Sequence, residues 1–135
     1  MNVFYTATAA AMTVLAALSS TAGAAENDII RVDIQKNIQG INVTVTAKTD
    51  TVLIKNIDVN RGKCPLLTKG TITYQGKRLE GWIAQGATFT PTTMHFADGL
   101  TWHFGHTYLQ PPAGVVCSFL EARVFTDQGT FTVTE

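Results

Sequence analysis

The first 25 residues lack charge altogether: no Asp, Glu, Lys, Arg or His precedes Glu26. All 10 basic and 10 acidic side chains lie in the rest of the 135-residue chain, and they sum to zero. A neutral balance supplies no overall field for a polyanion, which excludes nucleic-acid binding through bulk charge. Cysteine is scarce, with two residues and no Cys-x-x-Cys pair, so the usual zinc and thioredoxin-like motifs are ruled out. Also missing are a glycine-rich phosphate loop, a nucleophile-elbow serine and a placed pair of catalytic carboxylates. Helical periodicity is nearly absent. The chain is therefore expected to be a non-enzyme without a cofactor.

What the uncharged segment does contain is an apolar run from Val3 to Leu18, followed by the small residues Ser19 to Ala25. That order matches a secretory signal peptide over residues 1–25, cut after Ala24 or Ala25, although its only positive charge is the α-amino group of Met1. The run is shorter and more dilute in apolar residues than the ~20 a spanning helix needs. An uncleaved anchor is the alternative. No cysteine follows the small-residue site, which argues against lipid attachment there, and no second hydrophobic run follows Ala25. The expectation is one exported domain over 26–135, periplasmic or extracellular and free of the membrane after cleavage. In an oxidising compartment two thiols in a small domain pair, so Cys64 and Cys117 are expected to form a disulfide.

The mature part alternates with a period of two. Ile30, Val32 and Ile34 alternate with Arg31, Asp33 and Gln35, and Ile41, Val43 and Val45 alternate with Asn42, Thr44 and Thr46. Further strand-like segments are 51–60, 71–74, 78–83, 92–96, 100–104, 115–126 and 130–134. Short strands at this spacing, with glycines between them, predict an all-β antiparallel β-sandwich. Met94 and Phe96, with Leu100, Trp102 and Phe104, occupy even positions. A hairpin with the three-residue loop Ala97-Asp98-Gly99 pairs them in register, Phe96 with Leu100 and Met94 with Trp102. The same device predicts the loop Asp127-Gln128-Gly129 in a final hairpin.

That first hairpin places His95 and His103 diagonally on one polar face, with His106 just beyond. With Asp98 they are candidate metal ligands, but no motif places a third and fourth ligand, and polar strand faces carry histidine routinely. Charge is uneven along the chain: residues 55–78 hold Lys55, Arg61, Lys63, Lys69, Lys77 and Arg78 against the single carboxylate Asp58. Such a segment suits an acidic partner surface or a homodimer contact, and equally a solvated strand face. Within it Arg61, Lys63, Lys77 and Arg78, with Trp82 after it, are candidate partner-binding residues. Trp82 is expected chiefly as packing between the sheets. Asn42-Val43-Thr44 is a glycosylation sequon, relevant only in a eukaryotic secretory host.

Val59-Asn60-Arg61-Gly62-Lys63-Cys64, Trp102-His103-Phe104-Gly105, and Cys117 followed by Glu121, Val124, Thr126-Asp127 and Gly129-Thr130 resemble the interleukin receptor mimic protein A family of small secreted bacterial proteins. The likeness covers most of residues 28–134. The resemblance implies a fibronectin type III-like sandwich, one internal disulfide at Cys64 and Cys117, a domain-swapped homodimer, and binding to host interleukins by imitation of cytokine receptors. It assigns no cytokine-contact residue. Two other functions fit the same residues: an exported fimbrial-type subunit donating the strand of Ile30, Val32 and Ile34, and a periplasmic inhibitor or metal carrier using the histidines.

Overall fold

Isoleucine and valine at alternate positions bury one face of the central strands, and the fold follows from stacking those faces. The computed structural model describes residues 21–37, 40–84, 87–105 and 117–135. Among them are ten strands: β1 (Thr21–Glu26), β2 (Ile30–Asn37), β3 (Gly40–Ala47), β4 (Thr51–Val59), β5 (Leu66–Tyr74), β6 (Lys77–Ile83), β7 (Thr92–His95), β8 (Gly99–Gly105), β9 (Glu121–Thr126) and β10 (Gly129–Thr134). They form two antiparallel sheets, β1-β2-β3-β8-β5-β6 and β10-β9-β4-β7. The protein is thus nearly all β, with the layered build of a sandwich.

The core is the inward face of both sheets. Ile30, Val32 and Ile34 of β2, Ile41, Val43 and Val45 of β3, and Phe104 of β8 meet Val52, Ile54, Ile57, Met94, Ala122, Val124 and Val133 of the other sheet, all buried. Register places like beside like: Val32 faces Val45 and Ile34 faces Val43. Each fully buried Val or Ile contributes roughly 1.5–3 kcal/mol relative to exposure. Cys64, itself buried, is joined to Cys117 with 5.7 Å between Cα atoms and 53 residues of separation. A loop of that length restrains the unfolded chain by about 4 kcal/mol on the chain-entropy account.

Three expectations are corrected. Residues 92–104 are not a hairpin: β7 pairs with β4 in the four-stranded sheet, and β8 lies between β3 and β5 in the six-stranded one. The turn at Ala97 and Asp98 carries the chain from one layer to the other, tied to Ala47 by hydrogen bonds from Ala97 N to Ala47 O and from Ala47 N to Asp98 O, both 2.9 Å. Ala97, not Gly99, takes the left-handed conformation, with φ 71°. Phe96, with no partner strand, is 65% exposed.

The final hairpin is real but has the two-residue loop Asp127-Gln128, with Gly129 facing Thr126. Ala122 and Val124 face inward at even positions while Phe131 and Val133 do so at odd ones, which requires the pairs Ala122 with Val133 and Val124 with Phe131. Thr126 accepts a hydrogen bond at Oγ1 from Gln128 N and donates to Gly129 O, closing the turn.

Trp82 is the third correction. It is half-buried on the outer face of the six-stranded sheet rather than between the layers, because it shares that face with His103, whose cross-strand partner is the outward-pointing Asn42.

Candidate partner-binding surface

The turn joining β4 to β5 is a single 3-10 turn, Asn60–Gly62, and three successive residues in it have positive φ: Asn60 53°, Arg61 56° and Gly62 88°. Glycine tolerates this conformation, whereas Asn and especially Arg adopt it at a cost of order 1–3 kcal/mol each. The surroundings enforce it. Asn60 donates from Nδ2 to Ser118 O at 2.7 Å and accepts at Oδ1 from Leu120 N at 2.9 Å and Glu121 N at 3.1 Å. The disulfide fastens the same two segments a few residues away.

That clamp fixes where Arg61 and Lys63 project. Together with Asn60, Leu120, Glu121 and Thr134 they line an open depression of about 480 Å³. Arg61 donates from Nε to Glu121 Oε1 at 2.9 Å while its side chain stays 75% exposed. Leu120 is 63% exposed beside it. Asp58, the sole carboxylate of the basic segment, is already engaged: it accepts from Arg123 Nε at 3.0 Å and Nη2 at 2.7 Å, across the β4–β9 ladder. Hydrogen bonding to Asp58 holds the Arg123 guanidinium above its ordinary value. Asp58 therefore does little to offset the charge of Arg61 and Lys63.

The other candidates lie elsewhere. β5 joins β8 only at Leu66 with Phe104 and Leu67 with His103, after which β5 and β6 run on as a paired hairpin. Lys77 and Arg78 sit at the tip, where Lys77 faces Tyr74. At ~3.3 Å per residue the tip is roughly 20 Å from that last pairing with β8. Trp82 is near the base of the hairpin, its ring centroid 4.1 Å from that of His103, with Lys69 Nζ 5.9 Å from its centroid. His103 Nδ1 is 2.7 Å from Asn42 Oδ1, and burial holds its imidazole below the ordinary value. The continuous basic segment of the sequence thus divides into two surfaces.

The histidines do not converge. His95 pairs with Thr51 in one sheet and His103 with Asn42 in the other, so the diagonal relation expected between them is lost with the hairpin that implied it. His106 lies outside the described residues. Among the described residues no group of three or more His, Cys, Asp and Glu is arranged to hold a metal ion, and no helix is long and apolar enough to cross a membrane.

Leu120, Glu121 and Thr134 complete the depression without having been singled out in the sequence as its lining. Leu120 had a signal: Phe119 and Leu120 are adjacent apolar residues in a segment, 115–126, that reads as strand, where neighbours face opposite ways, and the structure buries Phe119 and exposes Leu120. The chain matches no protein-family model, no curated protein and no solved structure.

Proposed function

We propose that this protein is an exported, non-enzymatic binding module that engages a host protein of the cytokine class through the surface around Arg61, Lys63 and Leu120. The observation that carries this reading is the Asn60–Gly62 turn, whose left-handed backbone is over-determined by Asn60 and by the nearby disulfide. Strain retained at an exposed loop is characteristic of recognition sites on rigid scaffolds, and a preorganised loop loses little entropy on binding.

The strand order supports a fibronectin type III-like arrangement, with β2-β3-β8 against β10-β9-β4-β7 and the β5–β6 hairpin inserted between β4 and β7. A disulfide fits export. Homodimerisation by strand exchange is part of the same reading: once the chain is cut after Ala24 or Ala25, β2, with Ile30, Val32 and Ile34, becomes the first strand, held by its ladder with β3, and a terminal strand transfers between protomers at little contact cost. Surface plasmon resonance against a panel of host interleukins is the test. Saturable binding that Arg61→Ala weakens is expected, and no binding at micromolar concentration would refute the function. Light scattering of the purified protein reads the dimer separately.

A further inference from the structure

The depression lined by Asn60, Arg61, Lys63, Leu120, Glu121 and Thr134 carries a more specific chemistry than a basic patch. Arg61 meets Glu121 through Nε alone, so among the described residues its two terminal nitrogens carry neither hydrogen bond nor ion pair. Those nitrogens form the end-on fork that grips a carboxylate with two parallel hydrogen bonds. Lys63, also exposed, has no ion pair among the described residues and brings a second cation to the same wall. Within the lining, two cations face the one carboxylate of Glu121, and Glu135, whose N–H donates to Leu120 O at 3.1 Å, adds an acidic residue next to it, a balance that suits a monoanion better than a dianionic phosphate. Leu120 adds an apolar contact beside it. Thr134, the last residue of β10 at the edge of its sheet, closes one side of the depression.

We infer that this depression receives a glutamate or aspartate side chain borne on a partly apolar peptide segment, the carboxylate seated on the Arg61 fork and Lys63 and the neighbouring apolar residue on Leu120. The inference rests on the proposed partner-binding function and names the chemistry that the partner presents. Glu121 holds Arg61 from behind and competes with the incoming group, which makes it a tuning residue.

The test is a titration of the isotope-labelled full chain with the capped peptide acetyl-Leu-Glu-Leu-amide, followed by NMR. Saturable shifts are expected at the amides of Arg61, Lys63, Leu120 and Glu121, with acetyl-Leu-Gln-Leu-amide binding about tenfold more weakly. Arg61→Ala should remove the response, Lys63→Gln should weaken it, and Glu121→Gln should strengthen it. Equal binding of the two peptides, or shifts confined to other residues, would overturn the inference. So would inorganic phosphate displacing the peptide at lower concentration than acetate does, since that assigns the site to phosphate. Interleukin binding without any peptide response would remove this inference and leave the proposed function standing; a peptide response without interleukin binding would do the reverse.

Discussion

Trp82 of β6 lies against the imidazole of His103 on β8, ring centroids 4.1 Å apart and planes tilted by 38°, although β5 runs between the two strands in the sheet. Since β5 pairs with β8 over only two residues, with Gly105 N donating to Pro65 O beside them, this contact is a further fastening of the base of the β5–β6 hairpin to the sandwich. Trp82→Ala should therefore cost about 1–2 kcal/mol in urea denaturation and increase amide exchange along β6. Unchanged exchange there would show that the ladder alone holds the hairpin.

Stability should fall with acidification on account of the same residue. Burial lowers the folded-state pKa of His103 below its ordinary value of 6.5. As pH drops from about 6.5, the unfolded chain takes up a proton that the folded chain resists, so unfolding becomes easier until the folded pKa is passed. Above 6.5 the contribution is fully present. The urea midpoint should decline between pH 7.5 and pH 5, and His103→Gln should flatten that decline; identical slopes would refute the assignment.

Asn60→Ala removes one donor and one doubly used acceptor that hold the 118–121 segment, and places a less tolerant residue at φ 53°. A loss of about 2–4 kcal/mol is expected by chemical denaturation. Asn60→Asp keeps the acceptor for Leu120 N and Glu121 N, and should cost less than half as much.

Gly40 opens β3 opposite Gly105, and a Cβ there would fall 2.0 Å from the backbone oxygen of Phe104. Because that oxygen belongs to a strand, relief demands movement of β8. Gly40→Ala should destabilise by about 3 kcal/mol, whereas Gly76→Ala, with open space around it, should cost only the strain of its φ of 77°. Thermal melts of the two variants compare them directly.

Strand β1 spans the point where cleavage is expected, with Ala25 facing Val32 and Gly23 facing Ile34. Gly23 also lies against Val133 and Phe119, while Glu26 pairs with Lys48 and Arg31. A chain starting at Asn27 should be less stable than one starting at Thr21 by about 2 kcal/mol, with faster amide exchange on the exposed edge of β2. Equal urea midpoints would mean that β1 contributes nothing to the fold. N-terminal sequencing of the protein purified from its native host reads how much of β1 remains.

Alternation by itself marks which side chains of a strand face the core, and it did so correctly for β2 and β3, whereas β4 switches its buried side chains from Val52 and Ile54 to Ile57 and Val59 across the register shift at Ile54–Asn56. Two cysteines allow one pairing, so the disulfide was legible too. Sheet membership was not. Both sheets present their apolar faces to one shared core, so Met94 and Phe104 satisfy the same pattern whether β7 and β8 pair with each other or lie in opposite layers. Only packing across the core decided that, and with it the separation of His95 from His103. The same holds for the basic segment: neighbours in sequence, Lys63 and Lys77 are parted by a strand that leaves the sheet, while Leu120 and Thr134 come from far along the chain to complete the depression beside Arg61. Local period fixes the face of a residue, and long-range pairing fixes its neighbours.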